Sequence, residues 1–118
     1  MVKAINLGGR MVSLESNAGT AIIYKRVFKR DLIRDMAKIN VDQKDEMLEL
    51  VEMLQQLAFI MAKQGESTPL DKLLALSDTD YITWLCGFEP GTFDRADTIN
   101  EIVSIWRNQS IPTSEQKN

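Results

Sequence analysis

Residues 1–39 read MVKAINLGGRMVSLESNAGTAIIYKRVFKRDLIRDMAKI, and they decide the fold. Val2, Ala4 and Asn6 alternate with Lys3, Ile5 and Leu7, the two-residue period of a strand with two different faces. Gly8-Gly9 supplies the positive φ angles of a tight hairpin turn, and Val12 and Leu14 share a face of the returning strand. Ser16 and Asn17 offer capping side chains for a helix beginning near Asn17. In that helix Ile23, Tyr24, Val27 and Phe28 form a 3.6-residue stripe, with Lys25, Arg26, Lys29 and Arg30 around the remainder. Asp31 reads as the cap of a continuing or second helix carrying Leu32, Ile33, Met36 and Ile39. A lone two-stranded hairpin is marginal in water, so this one must pack on the helices.

Outward from this stretch, residues 42–64 predict one long helix. Asp42 is its cap, Asp45 and Glu46 sit near the positive end of its dipole, and Lys63 precedes a stop at Gly65. Met47, Leu50, Val51, Leu54, Leu57, Ala58 and Met61 form its apolar stripe. Phe59, Ile60 and Ala62 widen that stripe almost to the full circumference, which predicts a central helix surrounded by others. A loop at 65–69 ends in Thr68 as cap and Pro69 at the first helical position of a short helix through Leu70, Leu73 and Leu74. Ser77-Asp78-Thr79-Asp80 caps another helix, with Tyr81, Trp84 and Leu85, which Gly87-Phe88-Glu89-Pro90-Gly91 must break. A last helix from about Asp94 or Asp97 carries Ile99, Ile102, Val103 and Trp106.

The expected fold class is therefore α+β, predominantly helical: a short N-terminal two-stranded β-hairpin packed on a bundle of four to six helices. Its 118 residues, 44% hydrophobic and 26% charged, suit one domain with one core. That domain is expected over 1–110, with the hairpin at about 2–15 and helices at about 17–108. Residues 111–118 are too polar to pack and are expected to be disordered.

Charge is polarised along the chain. Residues 1–38 hold eight Lys/Arg against three Asp/Glu, and residues 39–118 hold six against fourteen, so a +5 part precedes a −8 part. Such a chain can associate weakly with itself, and Lys25, Arg26, Lys29 and Arg30 are the candidate face for this. The longest apolar run, 57–62, is far short of the ~20 residues that cross a bilayer, and no secretory h-region follows Lys3. A cytoplasmic location and no membrane partner are expected. The one cysteine, Cys86, lies beside Trp84 and Leu85 and reads as a buried reduced thiol.

Catalytic residues are scarce. The chain has no histidine, the commonest general base near neutral pH, and a single cysteine cannot build a structural zinc site. Asp78-x-Asp80 matches the start of a calcium loop, but Ile82 and Thr83 stand where a ligand and the turn glycine belong, so a helix cap is the better reading. Asp31 and Asp35 lie one helical turn apart, beside Arg30 and Arg34, and surface ion pairing accounts for them. Ser114-x-x-Lys117 lies in the polar tail, and no glycine-rich phosphate loop is present. Neither catalysis nor any cofactor or metal is expected.

The hairpin with its glycine turn, the segment Ser16-x-Ala18-Gly19-Thr20, and the run Tyr24-Lys-Arg-Val-Phe-Lys-Arg-Asp-Leu-Ile-Arg-Asp-Met36 together resemble the N-terminal part of tail assembly chaperones from long-tailed phages and prophages of Gram-positive bacteria. Residues 59–64 and 81–85 fit the same order, so the resemblance spans roughly 1–108. It implies a non-enzymatic chaperone that binds the tape measure protein, keeps it soluble during tail morphogenesis in the host cytoplasm, and is absent from the mature virion. It also implies a longer frameshifted product that recruits the tail-tube protein.

A holding protein needs exposed apolar surface kept soluble by charge. Tyr81, Trp84, Ile99, Ile102 and Trp106 are the candidate partner-binding residues, because tryptophan and tyrosine provide large contact area at low entropy cost. The alternative reading is a small DNA- or RNA-associated regulator using the basic first helix. A sequence pI near 4.9 weighs against it, since the acidic remainder would repel a phosphate backbone.

Overall fold

In the computed structural model, Gly8 and Gly9 take φ values of 63° and 91°, which a side chain would resist, and fold the chain back on itself. Strands β1 (Val2–Leu7) and β2 (Arg10–Glu15) pair antiparallel, with Leu7 opposite Arg10, Ile5 opposite Val12 and Lys3 opposite Leu14. This register buries Ile5, Leu7 and Leu14 and leaves Val2, Ala4, Met11 and Ser13 outside. The backbone of residues 2–34 and 44–110 and the side chains of 2–34 and 50–107 are described. The predicted cap Asp42, the residues Met36 and Ile39, the Met47 side chain and the tail 111–118 lie outside them.

The chain is α+β and predominantly helical. Among the described residues the hairpin is followed by α1 (Thr20–Phe28), a helical turn at 32–34, α2 (Lys44–Gly65), α3 (Leu70–Leu74), α4 (Asp78–Leu85) and α5 (Ala96–Ser110). Helix α2 packs against β2, α1, α3, α4 and α5 and is the centre of the fold. Leu57, Ala58, Phe59, Ile60, Met61 and Ala62 are all buried, on every side of the helix. The uninterrupted apolar run therefore finds neighbours all round, as its sequence requires.

Gly65 does more than stop this helix. It is the last residue of α2, and a Cβ there would overlap the Ser13 carbonyl oxygen and come within 2.8 Å of the Ser13 carbonyl carbon. Helix and hairpin meet backbone to backbone, and only glycine fits. Alanine in a helix normally stabilises by up to about 1 kcal/mol relative to glycine. Gly65→Ala is expected to reverse that sign and cost about 1–3 kcal/mol. A urea midpoint that rises instead would mean β2 does not rest against the end of α2.

Several element starts differ from the sequence expectation. Helix α1 begins at Thr20, because the Asn17 side chain folds forward to accept from Gly19 N at 2.9 Å, and Thr20 N donates to Asn17 O at 3.1 Å. These bonds make a turn where a helical cap was expected, and Gly19 takes the cap position. At α3, Pro69 is itself the cap residue, in extended conformation, and Thr68 does not cap. Asp31, by contrast, caps the turn at 32–34 as expected, accepting from Arg34 N at 3.1 Å. Ser77 and Asp80 form a reciprocal capping box at α4, as expected of a cap in place of a calcium loop.

Three glutamines of α2 hold the surrounding elements. Thr20 Oγ1 donates to Gln64 Oε1 at 2.8 Å, the Tyr24 hydroxyl to Gln56 Oε1 at 3.1 Å, and the Tyr81 hydroxyl to Gln55 Oε1 at 3.2 Å. Gln56 and Gln64 are buried, so each bond satisfies polar atoms withdrawn from water.

Candidate functional site

An aromatic column runs along one side of α2. Tyr24 meets Phe28 at 5.4 Å between ring centroids, Phe28 meets Tyr81 at 5.2 Å, Tyr81 meets Phe59 at 5.7 Å, and Phe59 meets Trp84 at 5.6 Å. Trp84 continues to Phe88 at 4.8 Å and Phe93 at 5.9 Å. The tilted and edge-on geometries are those that ring quadrupoles favour.

This column absorbs much of the predicted partner surface. Tyr81 is 5% exposed and Ile102 0%, so neither presents a surface: α4 turns Tyr81 onto Phe59, and α5 turns Ile102 into the core. Trp84, Ile99 and Trp106 are half-buried against that core. The Trp106 indole nitrogen is buried and has no acceptor among the described residues. Cys86 is exposed, contrary to the buried thiol expected, because it lies beyond the end of α4 while Trp84 and Leu85 take the inward positions.

Burial holds the Tyr81 phenol neutral and pushes its pKa to about 12, with the Glu52 and Asp78 charges acting in the same direction and Arg30 against it. A folded pKa above the unfolded value of about 10 means the neutral ring stabilises the fold below pH 10, and that this contribution is lost as pH rises towards 12. An absorbance titration of wild type against Tyr81→Phe should show one phenol ionising late, together with unfolding. Ionisation near pH 10 in the folded protein would contradict its burial.

The basic set separates in the same way. Lys25, Arg26 and Lys29 are exposed on and just beyond α1, and Lys29 Nζ donates to the Arg26 carbonyl at 2.9 Å. Arg30 instead reaches across to α2, 3.4 Å from Glu52 Oε1 and 3.4 Å from Gln56 Oε1. It therefore belongs to an intramolecular contact and not to a free self-association face.

Exposed apolar side chains are spread over several elements, with Val2 and Met11 on the hairpin, Ile33 in the turn at 32–34 and Ile82 on α4. Ile22 is 58% exposed on α1 and Leu70 61% exposed on α3, with Leu74 also outside. Helices α1 and α3 pack against each other, and beside them opens a cleft of about 410 Å³ lined by Ile23, Leu70, Leu73, Asn17, Gln64, Ser67 and Thr68, with Glu15 at its edge. Its amides are already organised: Gln64 Nε2 donates to Asn17 Oδ1 at 3.3 Å, and Asn17 Nδ2 donates to Glu15 Oε2 at 3.0 Å. Ile22 could have been found from sequence, since at about 100° per residue it falls to one side of the Ile23 and Val27 stripe. Leu70 and Leu74 carried no such signal, because a five-residue helix can be apolar throughout and still bury one leucine.

Chemically, the cleft offers the apolar side chains of Ile23, Leu70 and Leu73 beside fixed amide groups. Among the described residues no group of three His, Cys, Asp or Glu could hold a metal ion, and no helix is long and apolar enough to cross a membrane. The fold and cleft thus define a helix-dominated α+β domain with a cleft of mixed polar and apolar lining beside its first helix. No protein-family model matches the chain, and no curated protein or solved structure matches it.

Proposed function

We propose that the chain is a non-enzymatic tail assembly chaperone of a phage or prophage, binding apolar segments of the tape measure protein in the host cytoplasm. The resemblance over residues 1–108 supports this reading. The observation that carries it is Leu70, 61% exposed and lining the cleft beside the mutually packed helices α1 and α3, with Ile22 and Leu74 also exposed on those two helices. Large apolar side chains left in water next to a preformed cleft suit a partner that brings its own apolar surface. The docking surface accordingly moves from Tyr81 and Ile102, which are core, to α1 and α3. A longer frameshifted form, departing near the polar tail to recruit tail-tube subunits, belongs to the same proposal. So does weak self-association through Lys25, Arg26 and Lys29, which salt would loosen because exposed charges are screened beyond about 8 Å at physiological ionic strength.

The test is a pull-down against tape measure fragments. Ile22→Glu and Leu70→Glu should each weaken capture at least about tenfold, or ~1.4 kcal/mol, while leaving the thermal midpoint nearly unchanged. The regulator reading wins if both variants bind normally while a folded Lys25→Glu/Arg26→Glu protein loses a salt-dependent DNA or RNA shift that wild type shows. A tape measure gene immediately downstream would be independent support.

A further inference from the structure

The α1–α3 cleft carries a single charge. Ile23 and Leu73, both 5% exposed, form the buried side of its lining, and Leu70 extends that apolar surface into solvent. No lysine or arginine lines it, and its one ionisable group is the Glu15 carboxylate at the edge. A polar relay in the wall ends on that carboxylate. Thr20 Oγ1 donates to Gln64 Oε1 at 2.8 Å, Gln64 Nε2 to Asn17 Oδ1 at 3.3 Å, and Asn17 Nδ2 to Glu15 Oε2 at 3.0 Å. Asn17 Oδ1 also accepts from Gly19 N at 2.9 Å, so the amide that holds Glu15 is itself fixed in place. Among the described residues Glu15 makes no ion pair, and its second oxygen, Oε1, accepts no hydrogen bond.

We propose that this cleft takes one lysine side chain of the segment it binds, its stem along Ile23, Leu70 and Leu73 and its ammonium on Glu15 Oε1. The inference rests on the cleft being the client-binding surface, and it names what the client carries there. Charge selects the class: an acidic side chain is repelled, and a wholly apolar one would strip water from Glu15 and give its carboxylate no partner. Lysine lays an apolar stem along an apolar surface while its charge stays at the edge. Arginine fits less well, because its planar fork pairs best with both oxygens of a carboxylate, and Asn17 already holds Oε2. An ammonium needs only the remaining one.

The probe is n-hexylamine, an ammonium at neutral pH, titrated into the full chain while the methyl resonances of Ile23, Leu70 and Leu73 are followed. It should shift them saturably and bind about three- to tenfold more tightly than n-hexanol or n-butylguanidine, the range for one partly exposed charge-assisted bond. Hexanoate should shift none of them. Glu15→Gln can still accept from Asn17, so it should keep its thermal midpoint and lose the preference for the amine; added salt should erode that preference in the wild type. In pull-downs, replacing the bound lysine of a tape measure fragment by methionine should weaken capture by the same factor, with no further loss against Glu15→Gln. Equal binding of hexylamine and hexanol, or a preference that survives Glu15→Gln, overturns the site. Fragments captured regardless of every lysine substitution overturn it too, while leaving the client reading intact. If hexylamine binds as expected and no fragment is captured, the lysine site stands and the client reading fails. Self-association lost in Glu15→Gln would give the lysine to a second copy and overturn its assignment to a client.

Discussion

Phe59→Ala is expected to cost about 3–5 kcal/mol, a large share of the 5–15 kcal/mol that holds a typical domain together. Phe59 is fully buried, and its ring meets Tyr81 at 5.7 Å, Trp84 at 5.6 Å and Phe28 at 6.2 Å. Truncation would therefore remove the junction at which α1, α2 and α4 share side chains. The surroundings are themselves rings in fixed geometry, which collapse poorly into a void, so the upper half of the range is expected. Equilibrium urea unfolding checks this, with the midpoint falling at constant slope. A loss below about 1 kcal/mol would mean the aromatic column can close around the gap.

Leu57→Ala should cost about 2–5 kcal/mol, and Leu54→Ala the same, because both side chains are fully buried in α2. From 56 to 62 α2 has no solvent side, so the volume vacated at Leu57 can be filled only by moving a neighbouring helix or the hairpin. The same geometry predicts that the slowest-exchanging amides of the chain lie between Leu50 and Ile60. Leucine variants that lose less than about 0.5 kcal/mol, or fast exchange across that stretch, would remove α2 from the centre of the fold.

The hairpin and α2 were legible in the sequence because each has an unambiguous period. Gly8-Gly9 marks the turn, and the run 57–62 is apolar on every side of a helix. Helix starts were less legible, since Asn17 can cap a helix or make a turn with the same side-chain oxygen, and local sequence does not say which. The candidate surface was the least legible. Periodicity identifies the apolar face carrying Tyr81 and Ile102, but whether another element covers that face depends on packing across distant parts of the chain. Arg30 illustrates the same limit: it sits among the basic residues of α1 in sequence, yet Glu52 and Gln56 take it in space.

A rod that is greasy on all sides has no preferred rotation, since any neighbouring helix could slide or swap sides at little cost in buried area. Gln55, Gln56 and Gln64 remove that freedom, because each accepts a bond from a different hydroxyl, on Tyr81, Tyr24 and Thr20. Hydrogen bonds are directional where the hydrophobic effect is not, so the three amides act as keyed positions along an otherwise featureless cylinder. Replacing all three with leucine would keep the chain collapsed and helical while letting its helices settle in more than one arrangement.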